Sequence, residues 1–275
     1  MPDMEVSEIL TQPYMLRAIA GVVLIAINAS IAGSFTIFRN VSFLVAGASH
    51  SALAGAALFI LLGVYGFPAN PLIGALLFAI ATAIIAGYAP KEETNTAIGI
   101  SFAMSMSLAI LFISMIREYA AKVWSLLIGD LFLLTYEDLY LMTFVTFLSL
   151  MIALLFYKAF LFISFDSEGA TAFGLNTKRY NYLLLSLIAV SAVMLLKGVG
   201  AILVFAMLVA PAAASNELAS NLRDVFVYAF IIALVSGFVG IAISFHFKVS
   251  PGAIASLLAT TVYFFSLLAR RFRGD

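Results

Sequence analysis

The sequence predicts an all-α polytopic integral membrane protein, with about nine transmembrane helices (range eight to ten) in one membrane domain over residues 1–275. Of these residues 64% are hydrophobic and 10% are charged, whereas soluble domains are about 45–50% apolar and about 25% charged. A soluble fold cannot hide this much apolar surface. A helix needs roughly 20 apolar residues to cross about 30 Å of hydrocarbon, so the chain has room for eight to ten helices and little else.

Nine apolar runs, separated by charged or turn residues, are long enough to cross a membrane. In chain order they are Met15–Ile37, Val41–Val64, Pro71–Tyr88, Ala97–Ile116, Leu139–Phe162, Asn181–Leu196, Val199–Ala213, Val225–Phe245 and Pro251–Leu268. A tenth run, Val123–Leu134, is too short to cross, and we interpret it as a short re-entrant or interfacial helix.

The placement of Lys and Arg predicts the orientation in the cell membrane. If the C-terminal Arg270, Arg271 and Arg273 are cytoplasmic, nine spans put nine of the fourteen basic residues in the cytoplasm and five outside. This is the bias of the positive-inside rule. We therefore expect a multi-pass protein of the cytoplasmic (inner) membrane with its N-terminus outside and its C-terminus inside.

His50 is the most informative residue, because it lies near the middle of the second predicted span among apolar and small residues. A polar group in hydrocarbon is costly and usually faces a bundle interior or a water path. Neutral imidazole is a common ligand of divalent metals and can also carry a proton. One histidine makes no closed metal site, so His50, with Ser49, suits a transient site on a translocation path across a dimer axis. The alternative is a buried histidine that is hydrogen-bonded for packing.

Other polar residues are candidates for the same path or its outer mouth. Asn28, in the middle of the first span, either lines the path or forms an interhelical amide hydrogen bond. Asp130, Glu137 and Asp138 surround the short tenth run and are candidates for an acidic outer vestibule that concentrates cations. His246 lies at a predicted outer end, as an interfacial residue or as part of that vestibule. The alternative for the acidic residues is a solvated loop.

A helix break near the path is predicted at Gly200 and Pro211. Pro211 lacks an N–H and would leave the carbonyl of Met207 without its helical partner. A broken helix can expose a carbonyl to a permeation path, although a proline more often only kinks a helix.

The longest predicted cytoplasmic loop, about residues 164–178, carries a short helical pattern. Asp166 and Glu168 precede the stretch GATAFG, which places acidic residues at the positive end of a short helix and a glycine near its close. An amphipathic helix between spans could dock another protein, or it could be a plain connector.

Several functions are excluded or disfavoured by the sequence. No G-x-x-x-x-G-K-[ST] motif is present, so the chain cannot bind ATP through a P-loop. No hydrolase or H-E-x-x-H pattern occurs in the apolar spans, so no enzyme activity is expected. The formal net charge is zero, which argues against a nucleic-acid partner.

Three motifs together resemble the permeases of zinc- and manganese-uptake ABC transporters. The first is FRNVSFLVAGASHSALAG, the second FDSEGATAFG, and the third VGAILVFAMLVAPAAAS. The matching residues are Arg39, Ser49, His50 and Gly55, then Phe165, Asp166, Glu168, Ala170 and Gly174, then Val199 to Ala213. One position departs from the family: many members carry an aspartate four residues before the histidine, where this chain has Ala46.

The resemblance implies a type II importer in which the whole chain is one permease domain. It implies a second permease subunit, identical or homologous, in the lipid bilayer. Two cytoplasmic P-loop ATPase subunits would dock on the loop from Asp166 to Gly174, and an extracytoplasmic binding protein would deliver the metal. The cargo would be zinc or manganese, or iron; ATP would bind the partner subunits, and this chain would hold no cofactor. The alternative is a proton- or ion-coupled secondary carrier that works without an ATPase.

Overall fold

The computed structural model describes residues 12–67, 70–90, 92–116 and 120–273, and the regular structure in these ranges is helical throughout. The helices are α1 Pro13–Phe38, α2 Phe43–Val64, α3 Pro71–Tyr88, α4 Thr94–Met115, α5 Ala120–Ile128, α6 Tyr136–Leu155, α7 Tyr157–Phe165, α8 Ser167–Ala172, α9 Thr177–Val199, α10 Ala201–Leu218, α11 Leu222–Phe247 and α12 Pro251–Arg273. Within the described ranges nine of them, all but α5, α7 and α8, are long and apolar enough to cross a membrane. The prediction of an all-α protein with nine spans is confirmed.

The fifth predicted span, Leu139–Phe162, has the wrong boundaries. The helix starts earlier because the side chains of Thr135 and Asp138 cap its first turn reciprocally, so an acidic residue stabilises the helix start instead of preceding it. The helix then ends at Leu155, and after Phe156 α7 follows as a separate short helix.

The short tenth run inserts into the helix bundle. After α5, Gly129 has a left-handed φ of 62° and lies so close to the chain at Gly200 that a Cβ on Gly129 would be 2.1 Å from the Gly200 nitrogen. Of the leucines that follow, Leu131 and Leu134 are each 1% exposed and pack into the bundle, whereas Leu133 is 75% exposed. A buried segment of this kind fits the re-entrant interpretation better than a surface-lying one.

The spans differ in how much of each is buried by the rest of the chain. In α1, α2, α9 and α10 more than half of the apolar window is buried, whereas in α3, α4, α6, α11 and α12 it is about a third or less. The outer helices expose large apolar side chains such as Ile110, Phe144 and Phe264. Because hydrocarbon solvates such surfaces, we infer that these helices face lipid or a second subunit.

The bundle has two ends, which we call the α8 end and the α5 end. The α8 end holds residues 39–42, 156–176 and 219–221, and the α5 end holds residues 120–135, 200 and 248–250. Arg39 donates from Nε to Oδ1 of Asn181 at 3.0 Å at the α8 end. Lys197 forms an ion pair with Asp138 at the α5 end.

Candidate translocation site

His50 lies on a partly exposed stripe of α2. Ala46, one helical turn earlier, shares this stripe, whereas Gly47, Ser51 and Gly55 lie on the buried side of the helix. These three residues are small, so α3 and α4 approach α2 closely along this row.

The imidazole of His50 has an aromatic neighbour but no hydrogen bond among the described residues. Its ring meets that of Phe102 on α4 edge to face, with centroids 4.9 Å apart and an angle of 89° between the planes. Nδ1 is buried and has no hydrogen-bond partner in the described part of the chain. A histidine buried for packing alone would need a hydrogen bond, and the described residues provide none to His50.

Within one subunit, His50 is not part of a metal cluster. The described ranges contain no group of three or more His, Cys, Asp and Glu residues placed to hold a metal ion. At position 46, one turn away, the alanine provides no ligand. Any metal held by His50 within this chain alone would be bound weakly.

Ser49 is buried and does not share the exposed stripe with His50. Its hydroxyl donates to the Ala46 carbonyl at 3.0 Å and lies 3.4 Å from the Ala201 carbonyl at the start of α10. This contact joins α2 to the helix break at Gly200. The serine therefore fixes the position of α2 against α10.

The break between α9 and α10 occurs at a single residue. Gly200 has φ 80° and ψ 155°, and a Cβ there would lie 2.3 Å from the carbonyl carbon of Ile128. No other residue fits without moving α5. The chain thus leaves the helical path between α9 and α10 at Gly200, where Leu127 and Ile128 of α5 cover it.

Pro211 is buried within α10, and the helix continues past it to Leu218. Opposite this part of α10, α1 contains a π-helical turn, Ala29–Gly33. A Cβ on Gly33 would be 2.2 Å from the Leu208 carbonyl oxygen, so the two backbones touch. The proline therefore lies in a tight contact between two irregular helices.

Asn28 is a residue of α1 that faces α6, and it is 2% exposed. Its Nδ2 donates to the Leu24 carbonyl at 2.9 Å and to Oγ1 of Thr146 at 2.8 Å. Both donors of the amide are engaged, as in the interhelical hydrogen bond that the sequence offered as the alternative.

The four residues of the predicted outer vestibule line three cavities at the α5 end. Asp130 and Asp138 line one of about 430 Å³ together with Lys197. Asp130 and His246 line a second of about 800 Å³ together with Lys248. Glu137 and Asp138 line another of about 180 Å³ together with Lys197. A lysine accompanies the acidic residues in each cavity, and Asp138 is already paired with Lys197. The arrangement is one of mixed charge and not a single acidic mouth.

The predicted loop helix is α8, and its two ends are capped. Oδ1 of Asp166 accepts from the Gly169 N–H at 2.8 Å. At the other end Gly174 has φ 84°, and the Leu175 N–H donates to the Ala170 carbonyl at 3.0 Å, as in a Schellman motif. Caps at both ends hold a six-residue helix in one shape.

Three side chains of this segment face outward. Phe165 is 58% exposed, Phe173 is 84% exposed, and Glu168 is also exposed. Ala170, by contrast, is fully buried and seats α8 on the bundle. Exposed aromatic rings beside a carboxylate give the α8 end a surface that suits protein contact.

Sequence reasoning did not identify a buried hydroxyl cluster beside His50. Thr82 on α3 donates to Ser51 on α2 at 2.7 Å, and Ser51 and Ser105 on α4 share a hydrogen bond of 2.7 Å. The only signal in the sequence is the occurrence of hydroxyl residues in each of these apolar spans. These bonds lock the helix that carries His50 between its neighbours.

Comparison with known proteins identifies the family. The model of the ABC 3 transport family matches residues 11–270. The manganese transport system membrane protein MntC of Listeria monocytogenes is 33% identical over 258 residues, which cover 93% of this chain and 90% of that protein. The manganese import system permease protein ScaB of Streptococcus gordonii is 29% identical over 256 residues, or 92% of this chain and 90% of that protein.

A solved structure supports the same assignment. The structure of PsaBC from Streptococcus pneumoniae in complex with Fab aligns with a TM-score of 0.83 at 27% identity, covering 95% of this chain and 93% of that chain. The resemblance drawn from the three motifs is confirmed, and the matched family is a transport family and not an enzyme family. The chain belongs to the ABC 3 transport family.

Proposed function

We propose that this chain is the transmembrane permease subunit of an ABC importer for a divalent transition metal: manganese or zinc, with iron as the third candidate. The observation that carries the proposal is the imidazole of His50, partly exposed in mid-span and without a hydrogen bond in the described part of the chain. Family membership and the manganese relatives support it.

His50 would act as a transient ligand on the path. A second subunit would bring a second imidazole across the dimer axis, which is enough to guide an ion and too little to trap it. The names of the relatives and the ligand chemistry at His50 favour different metals. The relatives are named for manganese, whereas imidazole without a carboxylate, as Ala46 leaves it, suits zinc or iron better than manganese.

The α8 end would be cytoplasmic and the α5 end would face outside, with the N-terminus outside. ATPase subunits would dock on residues 165–174, where Phe165, Glu168 and Phe173 are exposed. ATP would bind those subunits only. A metal-binding protein would deliver its ion to the cavities at the α5 end.

The test is metal uptake by the reconstituted complex. The chain would be purified with its ATPase, placed in liposomes with the binding protein, and assayed with zinc, manganese and iron in parallel. We expect ATPase stimulation and uptake with one metal, and a loss of uptake of at least about tenfold in His50→Ala, which corresponds to roughly 1.4 kcal/mol. Leu58→Ala, two turns further along α2, is the matched truncation control.

The outcomes separate the alternatives. Wild-type uptake by His50→Ala would refute the path role of the histidine. Failure of any ATPase to associate with the chain would refute the importer and leave the ion-coupled carrier. Ala46→Asp supplies the missing carboxylate, and we expect it to shift the metal preference toward manganese.

A further inference from the structure

A polar cavity of about 380 Å³ lies at the α8 end, where the turn after α1 meets the end of α3 and the starts of α4 and α9. Its two charged lining residues, Arg39 and Lys178, are both basic, and the described lining contains no carboxylate. Hydroxyl and amide groups provide further hydrogen-bond donors; they include Thr94, Asn95, Thr177 and Asn181. The cavity is therefore chemically suited to an anion.

Arg39 is held in place but is not neutralised. The turn that carries it is fixed by Asn40, which has a left-handed φ of 57°, and by the Val41 N–H bonding to the Thr36 carbonyl at 3.1 Å. The guanidinium has five donors, of which Nε donates to Asn181. It forms no ion pair with any described residue. Burial lowers the pKa of Arg39 from its ordinary value because the charged form is partly desolvated.

Two helix starts add positive potential to the same cavity. α4 begins at Thr94 with no side chain capping its first turn, whereas α9 begins at Thr177 with Oδ1 of Asn176 accepting from the Arg179 N–H at 3.2 Å. The unpaired N–H groups of a first turn favour negative charge. Glu92 and Glu93 precede α4, but both are exposed and neither lines the cavity.

The cavity lies at the level where four spans end, which places it at the membrane surface. Apolar side chains next to it are open to the surroundings: Ile85 is 43% exposed, Tyr88 is 85% exposed and Phe43 is 41% exposed. Tyrosine at such a level is typical of the membrane interface. Basic pockets between transmembrane helices suit lipid headgroups.

We propose that this cavity binds the phosphate group of an anionic phospholipid, with Arg39 and Lys178 as the charged ligands and Asn95 as a neutral one. The acyl chains would lie along the exposed end of α3. Bound phosphate would tie the turn after α1 to the starts of α4 and α9, next to Ser167 of α8. The binding thus stabilises the segment that carries the exposed α8 surface.

The decisive variant is Asn95→Asp. It keeps the size of the side chain and puts a carboxylate in the first turn of α4, where negative charge favours the helix, so the fold is retained. The same charge repels a phosphate. Lys178→Gln removes one cation from the cavity, and Arg223→Gln removes an exposed cation from the same end as the matched control.

Purified full-length protein would be titrated with phosphatidylglycerol against phosphatidylcholine, and retained lipids would be counted by native mass spectrometry. Sodium phosphate against sodium chloride at equal ionic strength tests free phosphate. We expect the wild type to bind one phosphatidylglycerol per chain. Asn95→Asp and Lys178→Gln should each bind it about tenfold more weakly, because each loses one charge-assisted contact. Arg223→Gln should bind it as tightly as the wild type.

Each outcome decides the matter. Retention of phosphatidylglycerol with this variant pattern supports the site with a lipid as its source of phosphate. Competition by sodium phosphate with the same variant pattern supports the site with free phosphate as its ligand. Equal affinity of wild type and Asn95→Asp for both probes, or no preference for either over its control, overturns the proposal.

Discussion

Replacing Gly55 by alanine would put a methyl group where α2 and α3 touch through their backbones. A Cβ at this position would lie 2.0 Å from the Gly74 carbonyl oxygen, whereas ordinary contacts begin at 3.4 Å. The helices would have to separate by more than an ångström. One turn away along α2, such a movement would stretch the 2.7 Å hydrogen bond between Thr82 and Ser51.

The expected cost combines overpacking with the weakened hydroxyl cluster. Overpacking of a close contact costs about 1–3 kcal/mol, and an interhelical hydrogen bond in a membrane contributes about 0.6 kcal/mol. We therefore expect Gly55→Ala to lose about 2–4 kcal/mol of stability. Gly63→Ala, in the same helix, is the control, because a Cβ at Gly63 has nothing within 4 Å.

The assay is thermal unfolding of both variants in the same detergent. The measured quantity is the fraction of protein that remains monodisperse at each temperature. Gly55→Ala should unfold several degrees below wild type, and Gly63→Ala at or above it, since alanine favours a helix by up to about 1 kcal/mol over glycine. Equal unfolding temperatures for the two variants would show that α2 and α3 do not depend on this contact.

Three further predictions concern other contacts. Gly174→Ala should leave the protein folded but lower ATPase stimulation in the complex, because its φ of 84° costs an alanine about 1–2 kcal/mol in the cap of α8. A double-mutant cycle of Asn28→Ala and Thr146→Val should give a coupling free energy of about 0.6–1.7 kcal/mol in detergent unfolding; zero coupling would contradict the hydrogen bond. Glu217→Gln should lower the unfolding free energy by less than about 1 kcal/mol, since its pair with Arg270 is partly exposed.

The nine spans were predictable because membrane insertion depends on apolar runs, which are a local property of the sequence. The break at Gly200 and the capped helix at Asp166 were also visible, since both depend on short-range backbone chemistry. The predicted start of this span at Leu139 is too late because Glu137 and Asp138 are charged and yet lie in the first turn of α6.

The partners of polar residues were not predictable, because they come from different helices. Nothing in the sequence joins Asp138 to Lys197, and these two residues are 59 positions apart. The same holds for Arg39: its motif was recognised, but the cavity around it is created by α3, α4 and α9 together. Pairing across a bundle depends on tertiary packing, which local patterns do not encode.

The π-helical turn Ala29–Gly33 changes which sequence positions of α1 lie on the same face before and after it. A π turn inserts one residue into an α-helix, so the helix beyond it is rotated by roughly 100° relative to an uninterrupted one. An accessibility scan with single cysteines should therefore fit one helical period up to Asn28 and the same period shifted by one residue from Ser34 onward. Deleting a single residue within the turn would give one continuous helical period and keep both buried faces toward the bundle, whereas a turn forced into regular α-helix without a deletion would rotate one buried face by roughly 100°.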